Sequence, residues 1–427
     1  MFKFKNYSFN KETFVADFHY EDKNGIEYTE SIHFVKNLPY DPATESILEH
    51  ALELSFLLIG TSYYKAFPTS KVSLDLPLDD FKAEFLNLVY NEGLSQFAFE
   101  NGLSRSDLAN FSSNSAEIST ATALPYKNND VLALQSGGKD SILTATILNE
   151  SGRNWTAFYA GSTEKHPHII DELGVSVDHV VRVVDIPALK RAALMSDYKN
   201  GHVPITYILM SLALVQAILD QKTFVLTSIG HEGEEPHSII ESDAGALAVN
   251  HQWSKTWTAE KYFAEYVHRY ISGDLRVGSL LRGYSELKIA EVFTEKCWDK
   301  FSRSFSSCNV ANYRQQNDNS RLTWCADCAK CANSYLIFAP FVEPEDLIDV
   351  FGGKDLFAND SLADTFRGLL AVDGFDKPFE CVGEVEELRQ AYAMKRPGYA
   401  DLPFEVPKNQ DYDYRNPYEV QDFIKNF

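Results

Sequence analysis

The chain has 427 residues, of which 44% are hydrophobic and 23% are charged, and its formal net charge at pH 7 is −22. This composition indicates a globular protein with room for two or three domains. The negative charge argues against a nucleic-acid-binding surface, because such surfaces use clustered Lys and Arg to contact phosphates.

The first 125 residues are expected to form an α+β domain. No secretion signal is visible after Met1, so we expect a cytoplasmic protein. Alternating apolar residues predict two strands joined by a hairpin turn at 22–25, and amphipathic patterns predict two helices. These strands and helices are, in chain order, 13–20, 28–35, 44–58 and 78–91. A polar stretch at 112–123 predicts a linker to the next domain.

A strand, a glycine-rich turn and a helix follow this linker. The apolar run 131–134 predicts a buried strand, and a helix is expected from about Ser141 to Glu150. Glycines let the backbone approach an anion closely, and the free N–H groups of a helix N-terminus favour negative charge. The candidate phosphate-binding residues are Ser136, Gly137, Gly138, Lys139, Asp140 and Ser141. The Asp140 carboxylate is also a candidate Mg²⁺ ligand.

Residues 126–300 predict a second domain of the α/β class with a doubly wound parallel sheet. Its strands are separated by enough chain for crossover connections, and they are 131–134, 155–159, 180–184 and 224–229. Since the carboxyl ends of parallel strands line one crevice, we expect ligand contacts from 159–161, 184–185 and 228–232. The longest apolar run, 205–219, is too short for a membrane span and predicts a buried helix.

Residues 301–427 predict a third region that is organised around cysteines. Cys325, Cys328 and Cys331 follow each other at spacings of three, and Cys308 can close a tetrahedron from upstream. Four thiolates favour a structural zinc site. An iron–sulfur cluster is the alternative, although the further cysteine and proline of the ferredoxin pattern are missing after Cys331. Ordinary reduced cysteines are the third interpretation.

The turn at 136–141 resembles the Ser-Gly-Gly-x-Asp-Ser loop of the PP-loop (N-type) ATP pyrophosphatases, and it is too short for a Walker A motif. The resemblance implies an adenine nucleotide alpha hydrolase-like fold that binds ATP and Mg²⁺ and forms AMP and pyrophosphate. Together with the cysteine spacing, the turn also resembles the 7-cyano-7-deazaguanine synthases, which activate a carboxylate with ATP.

More of the chain is similar to the UDP-N-acetyl-muramoyl-L-alanyl-L-glutamate epimerases, the MurL family. The matching stretches run from the first domain to the tail and are 62–65, 138–141, 201–204, 250–255, 279–286, 324–331 with 339–340, and 379–383. The resemblance implies ATP- and Mg²⁺-dependent conversion of a terminal L-Glu to D-Glu on a nucleotide-linked peptidoglycan precursor. One departure is visible, because His231 and Glu232 stand where the family pattern has Asn and Glu.

The implied reaction proceeds through an acyl-adenylate. The α-proton of a free carboxylate is very weakly acidic, because its removal places two negative charges on adjacent atoms. Adenylation removes the first charge, after which inversion requires proton transfer on both faces of the α-carbon. Cys381 is the leading candidate for this transfer, since a thiolate near a cation acts at neutral pH. The other interpretation of Cys381 is a small buried cysteine.

Four charged residues complete the set of candidate catalytic residues. Glu232, Lys255 and Glu286 are alternatives for base, acid or carboxylate clamp. Arg282 is a candidate for holding a phosphate or the glutamate carboxylate with two hydrogen bonds. The other interpretation of each is a solvated or structurally paired charge.

Two further functions stay open at this point. A carboxylate-adenylating synthetase would pass the acyl group to ammonia and form an amide or a nitrile, and a nucleotide sensor would bind ATP without turnover. The expected partner is a small nucleotide-linked peptide, with neither nucleic acid nor membrane, and the pattern leaves the oligomeric state open.

Overall fold

The computed structural model describes residues 1–116, 118–314, 321–409 and 412–427. The strands are β1 (Phe2–Asn10), β2 (Val15–Glu21), β3 (Glu27–His33), β4 (Val72–Ser73), β5 (Val131–Leu134), β6 (Trp155–Gly161), β7 (Val177–Val183), β8 (Phe224–Thr227), β9 (Ser238–Ile240), β10 (Leu247–Val249) and β11 (Arg276–Ser279). The helices are α1 (Glu45–Ile59), α2 (Thr61–Tyr64), α3 (Asp80–Asn91), α4 (Ser95–Glu100), α5 (Lys139–Ser151), α6 (His168–Asp171), α7 (Ile186–Ala192), α8 (Ile205–Leu219), α9 (Trp257–Tyr270), α10 (Glu286–Lys296), α11 (Trp298–Phe301), α12 (Ala329–Phe338), α13 (Pro344–Val350), α14 (Ala363–Leu369) and α15 (Val385–Met394).

One large sheet of order β11-β8-β5-β6-β7-β3-β2-β1-β4 forms the centre of the described structure. The half from β11 to β7 is parallel, as predicted for the second domain. The β2–β3 hairpin, expected in a separate α+β domain, extends the same sheet, because β3 pairs with β7 in the antiparallel direction. The sheet is therefore mixed and mostly parallel, and the α/β class is confirmed.

Alternate residues of the central strands face two separate hydrophobic cores. On β5, Leu132 belongs to the core that contains α1 and α8, whereas Val131 and Ala133 belong to the core that contains α5 and α10. Val225 and Leu226 of β8 divide in the same way. Since neighbouring side chains of a strand point to opposite faces, helices cover this sheet on both sides.

The element boundaries differ from the predicted ones where the chain approaches the site. Helix α5 begins at Lys139, two residues before the predicted start, and β8 ends at Thr227, so that 228–232 leaves the sheet. Strand β11 was not predicted, because Arg276-Val-Gly-Ser279 carries one branched apolar residue. Within the described residues, no helix is long and apolar enough to cross a membrane.

Residues 418–427 lie along β11, the strand at one edge of the sheet. The side-chain amide of Gln421 donates a hydrogen bond to the backbone oxygen of Val277 at 2.8 Å. Phe423 packs on Gly278 so closely that a Cβ there would lie 2.9 Å from the phenyl ring. The free side of β11 is therefore covered by this segment, which we call the edge strap.

A buried ion pair joins the hairpin to the parallel half of the sheet. Arg182 of β7 donates from Nε to Glu30 Oε1 of β3 at 2.5 Å, and Tyr63 donates to Glu30 Oε2 at 2.7 Å. The side chain of Glu30 is completely buried. Arg182 also donates to Ser62 at 2.9 Å, which explains why Ser62 and Tyr63 lie at this seam.

We expect Arg182→Ala to lower the free energy of unfolding by about 3 kcal/mol, because it leaves a buried carboxylate without its partner. Arg303→Ala removes an exposed pair with Asp349 and is the matched control, with an expected change below about 1 kcal/mol. Urea unfolding of both variants checks the prediction. Equal midpoints for the two variants would contradict the assignment of the seam.

Candidate active site

A cleft of about 610 Å³ opens at the carboxyl ends of β5, β6 and β8. Its size is typical of small-molecule sites, and it lies where ligands bind in open parallel sheets. The apolar wall is formed by Leu134, Phe158, Ile205, Leu209 and Ile229. The polar wall includes Ser136, Asp140, Ser141, Glu232 and Lys255. Five of the predicted site residues therefore line one cleft.

The glycine turn has the geometry of an anion-binding turn. Gly138 is the N-cap of α5, so the first N–H groups of this 13-residue helix have no partners within it. The hydroxyl of Ser141 accepts a hydrogen bond from the Gly137 N–H at 3.2 Å and donates to the Gly138 oxygen at 3.1 Å. Ser136 stands exposed at the mouth of the turn.

Gly137 has no space for a side chain. Its φ is +81°, a left-handed conformation that L-residues other than glycine rarely adopt. A Cβ would lie 2.5 Å from Cδ1 of Leu322 and 2.8 Å from Cγ2 of Ile169. The turn is therefore pressed against the segment that leads to the cysteines.

A cluster of buried charges lies beside this turn, and we call it the charged cluster. Lys139 Nζ is 2.6 Å from Asp140 Oδ1 and 3.7 Å from Glu286 Oε1. Lys255 Nζ is 3.0 Å from Glu232 Oε2. Lys139, Glu232 and Glu286 are each at most 6% exposed, so that each charge depends on its neighbours.

The environment determines the protonation of these groups. Burial alone would lower the pKa of Lys139, but the neighbouring Asp140 and Glu286 carboxylates raise it. Lys255 follows the same pattern: burial lowers its pKa, whereas Cys381 and Glu232 raise it by a larger amount. Both amines are therefore held as ammonium groups.

The pKa values of the two buried carboxyl groups of the cluster are shifted in opposite directions. Burial would raise the pKa of Glu232, yet Lys255 and Lys139 lower it below the usual value. Burial raises the pKa of Glu286, and Lys139 offsets only part of this effect. Glu232 is thus held as a carboxylate, whereas Glu286 is the group of the pair that more readily carries a proton.

Cys381 lies on a loop that is fixed next to this cluster. The side-chain amide of Gln252 donates to the Val382 oxygen at 3.0 Å, and the Gly383 N–H donates to Asn333 Oδ1 at 2.9 Å. Asn333 also donates to Glu286 at 3.4 Å. Cys381 is partly exposed, and the negative charge of its thiolate form would raise the pKa of Lys255. The catalytic roles of these residues stay predictions.

Arg282 does not belong to the wall of the cleft. Its side chain is fully buried, with Nε donating to Glu260 Oε2 at 2.8 Å and Nη1 donating to the Gly230 oxygen at 2.8 Å. A guanidinium engaged in this way holds the 228–232 segment in place. Its Nη2 has no hydrogen-bond partner among the described residues, and the expected contact of Arg282 with a ligand stays a prediction.

Several polar residues of the cleft were not predicted from the sequence, among them Gln135 and Asn309. Gln135 precedes the glycine turn and is 5% exposed, and both polar atoms of its side chain lack a hydrogen-bond partner. Asn309 donates to Glu380 at 3.0 Å and so connects the cleft to the Cys381 loop. The position of Gln135 directly after a strand was the signal that could have found it.

The four clustered cysteines meet in space. The sulfur of Cys308 is 3.8 Å from that of Cys328, and the Cys331 sulfur is 3.6 Å from Cys325 and 3.5 Å from Cys328. All four sulfurs lie within 4.8 Å of one another. A tetrahedral zinc site separates its sulfurs by about 3.8 Å, since each Zn–S bond is about 2.3 Å long. The donor set therefore fits a four-thiolate metal ion.

The cysteine region is connected to the glycine turn. The Ser306 N–H donates to the Gly137 oxygen at 3.3 Å, two residues before Cys308. Leu322 covers Gly137 three residues before Cys325. The cysteine cluster thus holds both segments that press on the turn.

Known proteins with similar sequences were identified in two comparisons. The MurL N-terminal domain model matches residues 1–280, and the MurL C-terminal domain model matches residues 304–404. The UDP-N-acetyl-alpha-D-muramoyl-L-alanyl-L-glutamate epimerase of Xanthomonas oryzae pv. oryzae is 32% identical over 92% of this chain and 85% of its own length. The proteins of that name from a Micromonospora strain and from Salinispora tropica are 32% and 31% identical, over 90% and 94% of this chain and 84% and 86% of their own.

We expect Gly137→Ala to destabilise the protein by about 1–3 kcal/mol more than Gly152→Ala, the range typical of overpacking in a well-packed site. Both glycines have positive φ, but a Cβ at Gly152 meets no atom within 4 Å. The pair therefore separates the cost of packing from the cost of the backbone conformation. Chemical denaturation measures both, and equal losses would refute the close contact with Leu322.

Proposed function

Because the chain belongs to the MurL family, we propose that it inverts the terminal L-Glu of UDP-N-acetyl-muramoyl-L-alanyl-L-glutamate to D-Glu. The names of the three relatives contain this substrate and this activity. One structural observation carries the proposal for this chain: the glycine turn, the charged cluster and the Cys381 loop meet at one end of the sheet. We place the reaction in the cytoplasm, in peptidoglycan precursor synthesis.

The first half-reaction is adenylation of the terminal carboxylate. An oxygen of the substrate carboxylate attacks the α-phosphorus of ATP, a new O–P bond forms, and the bond to the departing pyrophosphate breaks. The α5 N-terminus, Ser136 and Ser141 are placed to bind the phosphates, which is consistent with the PP-loop resemblance. Mg²⁺ held by Asp140 would neutralise phosphate charge.

The second half-reaction is inversion. The acyl-adenylate lacks the carboxylate charge, so its α-proton is acidic enough for the Cys381 thiolate to remove. The ammonium group of Lys255 lies near that thiolate and stabilises it. Glu286, whose pKa is raised by burial, is the candidate that returns a proton to the opposite face. Water then cleaves the acyl–phosphate bond and releases the D-Glu product and AMP.

We also propose that Cys308, Cys325, Cys328 and Cys331 bind a structural Zn²⁺. The distances between their sulfurs match four-thiolate coordination. The Ala311 N–H donates to the Cys308 sulfur at 3.3 Å, an interaction that stabilises a thiolate ligand. An iron–sulfur cluster is the alternative occupant.

The epimerase activity predicts pyrophosphate release together with deuterium uptake. In D₂O with ATP, Mg²⁺ and the muramoyl-L-Ala-L-Glu nucleotide, we expect stoichiometric AMP and pyrophosphate, deuterium at the glutamate α-carbon, and D-Glu after hydrolysis and chiral chromatography. Pyrophosphate without α-deuterium, but with an amide or nitrile product in the presence of ammonia, would favour an adenylating synthetase. Binding of ATP without pyrophosphate release would favour a sensor.

Asp140→Asn is expected to lower pyrophosphate release by at least about 100-fold, because it removes the carboxylate that holds Mg²⁺ at the phosphates. Asp80→Asn is the matched control, since Asp80 occupies the first turn of α3, far from the cleft in sequence and exposed. Single-turnover assays with saturating ATP compare the two. Full activity of the Asp140 variant would contradict the proposal that Asp140 holds Mg²⁺.

Cys328→Ser is expected to lower the zinc content from about one ion per chain and to lower the thermal midpoint, because three thiolates bind zinc less tightly than four. Cys297→Ser is the control, since Cys297 contacts Thr146 outside the cluster and should keep the metal. Elemental analysis and calorimetry measure both effects. Iron with visible absorbance would identify a cluster, and a stable, metal-free wild-type protein would exclude the structural metal.

A further inference from the structure

A chain of side chains leads from Cys381 through His251 and Gln96 to the exposed residue Glu100. His251 Nε2 lies 3.7 Å from the Cys381 sulfur, and His251 Nδ1 lies 2.6 Å from Gln96 Oε1. Gln96 in turn donates from Nε2 to Glu100 Oε1 at 2.7 Å. Gln96 and Glu100 belong to α4, so that helix holds the imidazole from the side opposite the thiol.

The hydrogen bonds determine which nitrogen of His251 carries a proton. A carboxylate such as Glu100 only accepts hydrogen bonds, so the Gln96 amide must turn its NH₂ group toward it. The Gln96 oxygen therefore faces His251 and accepts from Nδ1–H. Neutral imidazole carries one N–H, which leaves the lone pair of Nε2 directed at the thiol of Cys381.

We infer that His251 is a positioning residue that accepts the thiol proton of Cys381 and so prepares the thiolate for the proposed epimerisation. The inference rests on the proposed function, in which Cys381 removes the α-proton. The proton moves from Sγ to Nε2, which gives a thiolate and an imidazolium whose Nδ1–H stays bonded to Gln96. After the thiolate has taken the α-proton, the imidazolium releases one proton to solvent. Glu286 takes one proton from solvent to replace the proton that it gave to the opposite face, so protons balance over one turnover.

The surroundings of His251 are consistent with a neutral acceptor in the resting protein. Burial lowers the pKa of His251 to about 4, which keeps the imidazole neutral in the resting protein, and the negative charge of a thiolate 3.7 Å from Nε2 raises this pKa once the proton has moved. The charged groups that act on it are Glu380 and Glu100, which raise its pKa, and Lys255 and Lys330, which lower it. The rings of His202 and His237 lie 4.5 Å and 6.4 Å from it, and burial likewise lowers the pKa of both. Lys255 supplies the cation that stabilises the thiolate once the proton has moved.

A structural role for His251 would produce a different result, because the Cys381 loop has its own anchors. Gln252 holds the Val382 oxygen and Asn333 holds the Gly383 N–H, and neither bond involves the imidazole. Replacement of His251 should therefore change the reactivity of the thiol more than the position of the loop.

The test measures the reactivity of Cys381 in the full-length protein without substrate. The rate of alkylation by iodoacetamide is followed at the Cys381 peptide by mass spectrometry, over pH 6 to about 9.5, the range in which thiols titrate. For His251→Gln we expect at least about a 10-fold slower reaction at pH 7 and an upward shift of the pH midpoint. His50→Gln, a half-buried histidine of α1, is the control and should match the wild type.

Gln96→Leu provides a second variant that keeps the imidazole but removes the acceptor of its Nδ1–H. We expect a smaller decrease in alkylation of Cys381, by about 3- to 10-fold, because both tautomers then become populated. Unchanged alkylation in both variants, with native circular dichroism, would overturn the inference.

Activity measurements separate this inference from the proposed function. In His251→Gln, we expect α-deuterium uptake to fall in proportion to alkylation while pyrophosphate release stays within about 3-fold, since adenylation does not use the thiol. If the wild type does not epimerise the substrate, the proposed function fails, yet slower alkylation of the variant still supports the pairing of thiol and imidazole. If it epimerises but alkylation is unaffected, only the role of His251 fails.

Discussion

The charged cluster is the interaction on which the candidate active site depends. A buried ion costs several kcal/mol unless a partner compensates it, so the buried members Lys139, Glu232 and Glu286 depend on the neighbouring charges. Its members come from different elements: Lys139 and Asp140 from α5, Glu286 from α10, and Lys255 from a 3₁₀ helix after β10. With three carboxylates and two ammonium groups, the cluster carries one excess negative charge when all are ionised. Such a site suits a divalent cation that arrives together with an anionic ligand.

The other parts of the structure support this arrangement through specific contacts. Arg282 donates hydrogen bonds to Glu260 and to the Gly230 oxygen, and it thereby fixes the segment that carries Glu232. The cysteine region presses Leu322 against the glycine turn, and its Asn309 reaches the Cys381 loop through Glu380. The same region therefore contacts the glycine turn, where adenylation is predicted, and the Cys381 loop, where inversion is predicted.

Local patterns were sufficient to predict four of the five strands in the parallel half of the sheet, the glycine turn and the cysteine cluster. The turn is encoded by six consecutive residues, and three of the four cysteines lie within seven positions. Pairings between distant residues were not visible in this way. Arg182 and Glu30 are 152 positions apart, and His251 and Gln96 are 155 apart, so both contacts form only when the chain is folded. Arg282 was expected at a ligand because a free arginine suits phosphate, but its Nε already donates to Glu260 on α9, a contact that the sequence pattern did not reveal.

The edge strap protects the edge of the sheet from association with another copy of the chain. A parallel sheet that ends in an uncovered strand presents a row of free backbone donors and acceptors, to which another copy can add a strand. Gln421 occupies the carbonyl of Val277, and Phe423 packs over Gly278, where no side chain keeps a neighbour away. During synthesis this edge is made more than 130 residues before its cover, since β11 ends at Ser279 and the strap begins at 418. The nascent chain therefore passes through a stage at which β11 is made but its cover is not, and unpaired strand edges at such a stage favour aggregation.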